Sequence, residues 1–245
     1  MRIVVVGGTG LIGKALVQAL RERGHEAVPA SPSTGVDTLT GAGVADALAG
    51  AQVVVDVTNS PSFEDGPVLD FFTRSTTTLL GAEREAGVGH HVALSIVGTD
   101  RLPEAGYLRA KVAQEKLIID AGIPFTILRA TQFFEFLGAI ADSATDGGTV
   151  TLPEGAFQPV AAADVVATLA EVATGAPLGG TLDLAGPDRR TMEAFVREAL
   201  AAREDPRTVT TGPEARYFGT AIGDALVPAG EARLGEVRFE DWLKG

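Results

Sequence analysis

The sequence predicts an α/β protein, a Rossmann-like, doubly wound and mostly parallel sheet with a small C-terminal region on the substrate side. Three observations predict it. The apolar run Val4-Val5-Val6 breaks into Gly7-Gly8-Thr9-Gly10-Leu11-Ile12-Gly13 and then into an amphipathic helix, the order strand, glycine loop, helix that opens a dinucleotide-binding unit. Short apolar runs then alternate with helical periodicities, as helices on both faces of a parallel sheet require. Finally, 245 residues with 45% hydrophobic content suffice for one such sheet. No Pro/Ser-rich tract, fixed-period repeat or block of like charge divides the chain. Residues 1–245 are therefore expected to form a single domain, with about 131–245 contributing a substrate pocket and a C-terminal lid.

In the first loop, Gly8, Gly10 and Gly13 satisfy G-x-G-x-x-G, and Gly7 extends the pattern. Glycine there lets a pyrophosphate approach the main chain, while the helix from Leu11 aims unpaired N–H groups and its positive end at the phosphates. The stretch Gly7, Gly8, Thr9, Gly10, Leu11, Ile12 and Gly13 is thus the candidate cofactor loop. The helix carries Leu11, Ile12, Ala15, Leu16, Ala19 and Leu20 at helical spacing and stops at Gly24. The second strand, Glu26–Ala30, ends where such folds choose between cofactors by what they offer the adenosine ribose. In place of the acid expected of an NAD site stand Ser31, Ser33 and Thr34, hydroxyl donors for a 2′-phosphate, without an arginine beside them. They favour NADP(H) over NAD(H). Asp37, after a short third strand, is a candidate for facing the adenine.

Val44, Ala47 and Leu48 indicate a short helix before the fourth strand, Val53–Val57, which ends in Thr58-Asn59-Ser60-Pro61. Asn59 is a candidate cofactor contact, with a turn-closing bond as its alternative. A helix from Pro67 to about Ala86 turns Val68, Leu69, Phe72, Leu79 and Leu80 to the core. The fifth strand, His91–Ile96, delivers Ser95 to the carboxyl edge. Tyr107 then begins a helix with Lys111 one turn on. This spacing puts phenol and ammonium on one face, where the cation favours the ionised phenol. An unperturbed tyrosine titrates near ~10, so such a neighbour makes it a better acid or base at neutrality. Past the sixth strand, Phe133, Phe134 and Phe136 cannot all face one core from a helix, so one is expected to line an apolar pocket. Asp164 is expected to cap an Ala/Val helix, and Thr181–Ala185 reads as a late strand. The tail, with Tyr217-Phe218-Gly219 and Phe239-Glu240-Asp241-Trp242, is expected to supply a substrate lid or docking segment, Tyr217 included in the pocket.

The net charge of −12 disfavours nucleic acid and anionic membrane surfaces as partners. Zero cysteines exclude disulfides, thiolate catalysis and cysteine-ligated zinc. His25, His90 and His91 lie at the strand ends opposite the predicted site, so no metal is expected. Neither G-x-S-x-G nor G-x-x-x-x-G-K-[ST] occurs. Met1-Arg2-Ile3 enters the first strand without a leader pattern, and no apolar run reaches spanning length. A cytoplasmic monomer or homodimer acting on a small molecule is expected.

The chain resembles the atypical or extended short-chain dehydrogenase/reductases of the NmrA-like group over nearly all its length. The resemblance rests on Gly7-x-x-Gly10-x-x-Gly13, on Ser95 with Tyr107-Leu108-Arg109-Ala110-Lys111, and on Gly122-Ile123-Pro124-Phe125-Thr126-Ile127-Leu128-Arg129 leading into Phe133-Phe134. It implies that Thr9 to Ile12 embrace the pyrophosphate. It implies too that Lys111 bonds the nicotinamide ribose, that Tyr107 exchanges the proton and that Ser95 orients a carbonyl. The chain departs from the group in placing Phe72 about where catalytic asparagines tend to sit, and Ala130-Thr131 where Pro-Gly is often found. The implied activity is NADP(H)-dependent reduction of a small apolar carbonyl or quinone-like compound. A non-catalytic redox sensor of the same group is the alternative, and a nucleotide-sugar epimerase or dehydratase is a weaker one.

Overall fold

The computed structural model describes all 245 residues. In chain order the elements begin β1 (Arg2–Val6), α1 (Leu11–Glu22), β2 (Glu26–Ala30), a 3-10 turn (Pro32–Thr34), α2 (Val44–Leu48), β3 (Val53–Asp56), α3 (Asp65–Ala86), β4 (His90–Ile96), α4 (Gly106–Asp120) and β5 (Phe125–Ala130). They continue through a 3-10 turn (Phe134–Phe136), α5 (Leu137–Ser143), β6 (Thr145–Asp146), β7 (Thr149–Leu152), β8 (Ala156–Phe157), α6 (Ala162–Thr174) and β9 (Gly180–Ala185). The last are β10 (Arg190–Thr191), α7 (Met192–Ala201), β11 (Thr208–Thr211), β12 (Arg233–Leu234) and α8 (Phe239–Trp242). A seven-stranded sheet in the order β12-β9-β5-β4-β3-β1-β2 forms the centre, Rossmann-like as the alternation predicts. β1 runs parallel to both β2 and β3, and β3 parallel to β4.

That register positions the site. Val6 pairs with Ala30 on one side and Asp56 on the other, and Asp56 pairs with Ala93. The loops after β1, β2 and β3 therefore leave the sheet at one carboxyl edge, which β4 overruns to Ile96. β1 and β3 are buried along nearly their whole length, the apolar run expected of a strand covered on both faces. Val4, Val6, Val54, Leu48 and Leu79 share one cluster that closes α2 and α3 onto this sheet, each such side chain stabilising by roughly 1.5–3 kcal/mol. Pro29 lies in β2, at the sheet's edge, where a missing N–H leaves no central ladder broken.

The chain packs as two compact units, one of residues 1–95, 106–129 and 165–182, the other of residues 96–105, 130–164 and 183–245. The second unit adds two small sheets, an antiparallel β8–β10 pair and the set β11-β7-β6. Its aromatic core joins Phe239 to Phe195 at 4.9 Å and to Phe134 at 5.1 Å between ring centres. No helix is long and apolar enough to cross a membrane.

Three expectations are corrected. No strand forms before Asp37: Ser31 and Thr34 close a capping box around the 3-10 turn, Gly35 turns left-handed, and Asp37 accepts the N–H of Leu39 at 2.8 Å, so that segment bonds to itself instead of to the sheet. Asp164 does not cap α6; it lies in the first turn and accepts the Val237 N–H at 3.1 Å, pinning the tail. The Phe239–Trp242 segment is no lid, because Phe239 is fully buried and α8 closes the second unit's core.

Candidate functional site

The glycines of the first loop divide by cause. Gly7 has φ +81°, its N–H donates to the Ala30 carbonyl at 2.9 Å, and a Cβ there would stand 2.9 Å from the Val57 carbonyl carbon. A Cβ on Gly13 would stand 2.2 Å from the Gly7 oxygen, and one on Gly8 2.6 Å from the Val5 oxygen. Packing alone requires these three. At Gly10 a Cβ would meet only the Gly7 oxygen, at 3.4 Å, and φ is −77°. Nothing in the fold demands glycine there. Gly10 is the N-cap of α1, has no side-chain cap, and precedes a first turn without acidic residues. The first N–H groups of a helix have no acceptor within it, and they point where its dipole favours an anion. The loop thus fits the pyrophosphate of a dinucleotide: the backbone is pressed clear of side chains at Gly10, between exposed Thr9 and Leu11, while Ile12 anchors α1 in the core.

At the end of β2 the Ser31 and Ser33 hydroxyls form one set with Thr9, while the Thr34 hydroxyl bonds the backbone. Ser31 is buried, accepts from the Thr9 hydroxyl at 3.1 Å and shares a hydrogen bond with Ser33 at 2.9 Å. Thr34 accepts the Ser31 N–H at 2.9 Å. Asp37 is turned to its own loop, where the Leu39 N–H and then the Thr40 hydroxyl hold its carboxyl below the usual range.

Asn59 and Tyr107 come together: the phenol donates to Asn59 Oδ1 at 2.7 Å, which also accepts the Ser60 N–H. The Tyr107 ring stands 5.3 Å from Phe63 and 6.0 Å from Phe72, and burial pushes the phenol up to about 12. Lys111 faces elsewhere. Its ammonium donates to the Leu94 carbonyl at 2.9 Å and to Gln114 Oε1, and lies 4.5 Å over the Phe72 ring. Burial draws it down to about 8 against the pull of Asp56 and Glu115. The expected assistance of the phenol's ionisation is therefore corrected: the buried β4 carbonyl and Gln114 draw the ammonium towards the sheet, and Tyr107 is left as a protonated donor. Ser95, also buried, donates to Glu115 Oε1 at 2.5 Å, and Glu115 is held by Arg129 at 2.6 and 3.0 Å.

Sequence reasoning passed over Asp56, Gln114, Glu115 and Arg129, which organise this layer. The available signal was a lone carboxylate after Val53-Val54-Val55, since a buried charge must find partners. In the second unit, Phe133 is half-buried and stacks on exposed Phe136 at 5.4 Å, Phe134 is fully buried against Phe239 and Trp242, and Tyr217 packs on Phe218 at 4.4 Å. His91 bonds Glu83 at 2.8 Å and His90 bonds Thr126 at 3.0 Å.

Comparison with known proteins bears on the fold and the family. The NAD(P)H-binding family matches over residues 7–175. The chloroplastic divinyl chlorophyllide a 8-vinyl-reductase of Oryza sativa subsp. indica is 30% identical over 206 residues, covering 69% of this chain and 50% of that protein. The chain spans about half the length of the curated relatives it matches. Among solved structures, MoeE5 in complex with UDP-glucuronic acid and NAD has a TM-score of 0.78 at 17% identity, over 100% of this chain and 97% of that one. An NADPH-dependent quinone oxidoreductase of Escherichia coli, complexed with NADPH, has a TM-score of 0.68 at 22% identity, over 87% and 78%. At these identities the structures show a shared fold, and it is the matched stretch, which holds both the glycine loop and Tyr107–Lys111, that decides the family. The chain belongs to the NAD(P)H-binding family, within the NmrA-like short-chain dehydrogenase/reductases that its motifs resemble.

Proposed function

We propose that this chain is an NADP(H)-dependent oxidoreductase that reduces a small apolar quinone or other activated carbonyl. One observation carries the reading: the glycine loop packs on Val57 and Thr58, and the next residue, Asn59, accepts the Tyr107 hydroxyl. A dinucleotide-binding loop and a half-buried phenol are thus linked through three consecutive residues at one sheet edge. The dinucleotide, when bound, supplies or accepts hydride. The chain's own groups do the rest: the loop and the α1 N-terminus hold the pyrophosphate, Ser31, Ser33 and Thr34 offer hydroxyls to a 2′-phosphate, and Tyr107 keeps a proton at its hydroxyl for the reduced oxygen.

The choice of a quinone follows from Ser95 and Lys111. Both are engaged in the layer between α4 and the sheet, so little beyond Tyr107 is available to stabilise an alkoxide. A quinone oxygen becomes a phenolate on accepting hydride, a much weaker base, and demands the least acid assistance. The same burial of Ser95 favours the second reading, a dinucleotide-binding regulatory protein without turnover. A screen of NADPH oxidation with quinones, aromatic aldehydes and cyclic ketones separates the two. Quinone-dependent oxidation with slower or absent ketone reduction is expected; NADPH binding without oxidation by any acceptor supports the regulatory reading.

A further inference from the structure

Asp56 ends β3 with a carboxylate almost wholly buried, after three valines that show what the strand itself would accept there. Both oxygens are used. Oδ1 accepts the Thr58 N–H at 2.9 Å and the Thr58 hydroxyl at 2.7 Å; Oδ2 accepts the Gln114 amide at 3.0 Å. The first arm fixes the turn against which the cofactor loop rests, a Cβ on Gly7 falling 2.9 Å from the Val57 carbonyl carbon and 3.0 Å from the Thr58 nitrogen. That turn also carries Asn59 to the Tyr107 hydroxyl. The second arm orients Gln114 so that its other amide atom, Oε1, accepts from Lys111. A buried carboxylate is costly unless its acceptors are filled, and here they are filled by the two segments that must be aligned.

We propose that Asp56 is a positioning residue that holds the Gly7 loop and the Tyr107/Lys111 helix in one register through its two oxygens, an inference that rests on the reductase site proposed above. The groups that face Lys111 define how this is read. They are Asp56 from β3, Glu115 from α4 itself, the Leu94 carbonyl from β4 and the Phe72 ring from α3. Asp56 is faced in turn by Glu83 from α3 and His91 from β4, and Glu115 by Arg129 from β5. Burial lowers Lys111 to about 8 while Asp56 and Glu115 raise it. Loss of the Lys111 charge from the layer behind the site therefore makes the affinity for anionic NADPH fall as pH rises through about 8.

The test is a fluorescence titration of NADPH against pH for the wild type, Asp56→Asn and Thr58→Val, with circular dichroism as the check on folding. Asparagine keeps an acceptor for Thr58 but removes the charge and presents the wrong donor to Gln114. Asp56→Asn is expected to move the alkaline midpoint to lower pH and, through the broken Gln114 arm, to weaken NADPH below the midpoint as well. A wild-type midpoint that Asp56→Asn leaves in place overturns the proposal. A wild type with no midpoint at all means that the Lys111 charge does not act on the cofactor, which removes the Gln114 arm and leaves the reading of the loop and Tyr107 standing. Thr58→Val decides the other arm while leaving the carboxylate in place, so it serves even where Asp56→Asn does not fold. It removes one of two donors to Oδ1, and NADPH binding is expected to weaken roughly three- to tenfold with the midpoint unmoved. Unchanged affinity overturns the loop arm.

Discussion

Single residues in the glycine loop separate what the fold needs from what a ligand needs. Gly13→Ala drives a methyl to within 2.2 Å of the Gly7 oxygen, a backbone atom that cannot move without breaking the loop. It is expected to lower the melting temperature and abolish NADPH binding together. Gly10→Ala meets only one atom, at 3.4 Å, with an ordinary φ. It should leave the melting temperature close to that of the wild type while weakening NADPH at least tenfold, because the methyl occupies the approach of the pyrophosphate. A Gly10→Ala protein that binds NADPH normally would place the phosphates elsewhere. Tyr107 makes the same separation for chemistry. The phenol stays protonated up to about 12 and bonds Asn59, so Tyr107→Phe removes a proton donor and little packing. Cofactor affinity should hold while turnover falls at least ~100-fold on a ketone, and less on a quinone. Equal turnover by the phenylalanine variant on every acceptor would show that the proton comes from another group.

At the scale of elements, α3 and β4 are joined below the site by the Glu83–His91 pair, both side chains fully buried. Burial pulls His91 down, but the Glu83 charge and hydrogen bond outweigh it, with Asp56 adding to them, and the imidazole ends above its ordinary 6.5. A raised folded value means the native state binds more protons than the unfolded chain. The stabilisation is complete below 6.5 and fades as pH rises through the folded value. Lys111, lowered to about 8, acts in the opposite sense above that pH. Between 6.5 and about 8 the urea midpoint should therefore fall with pH in the wild type and stay flat in Glu83→Gln. The isosteric change also strands a buried imidazole, so an overall loss of about 3 kcal/mol is expected. A wild-type midpoint that does not change across that window would show the pair to be neutral. Elements of this kind were legible where periodicity was long. β1, β3, β4 and β5 are four to seven residues long and mostly apolar, and α1 and α3 carry helical stripes, so their places follow from the sequence. The two-residue strands β6, β8, β10 and β12 carry no period at all, and what pairs them is tertiary. The segment before Asp37 misled because Val36 reads as strand, while the Ser31–Thr34 box and Gly35 had already turned the chain away. In the site, residue types were legible and directions were not. Tyr107 and Lys111 share a helix, but the buried Leu94 carbonyl and Gln114 decide where the ammonium points.

The whole molecule carries a net charge of −12, and that field acts on any anionic ligand. NADPH bears a 2′-phosphate that NADH lacks, so long-range repulsion penalises it more, and added salt screens the penalty within a Debye length of about 8 Å near physiological strength. The local attraction offered here comes from the hydroxyls of Ser31, Ser33 and Thr34, of which Ser31 and Ser33 are already gathered into one hydrogen-bonded set with Thr9. Short hydrogen bonds of that kind change little with salt, whereas an arginine clamp on a phosphate weakens as salt rises. Two outcomes follow for titrations of both cofactors. NADPH should bind more tightly than NADH, and the ratio should grow between low and moderate ionic strength. A ratio that shrinks with salt would reveal a cationic clamp on the 2′-phosphate, and tighter NADH would remove the NADP(H) assignment altogether. Ser33→Asp supplies the control. Ser33 is exposed, so a carboxylate there is tolerated by the fold, and it sets a negative charge against the 2′-phosphate while offering an acceptor to the ribose hydroxyls. The variant should lose about tenfold or more in NADPH affinity and hold or gain NADH, which fixes the hydroxyl set as the point where the chain tells the two cofactors apart.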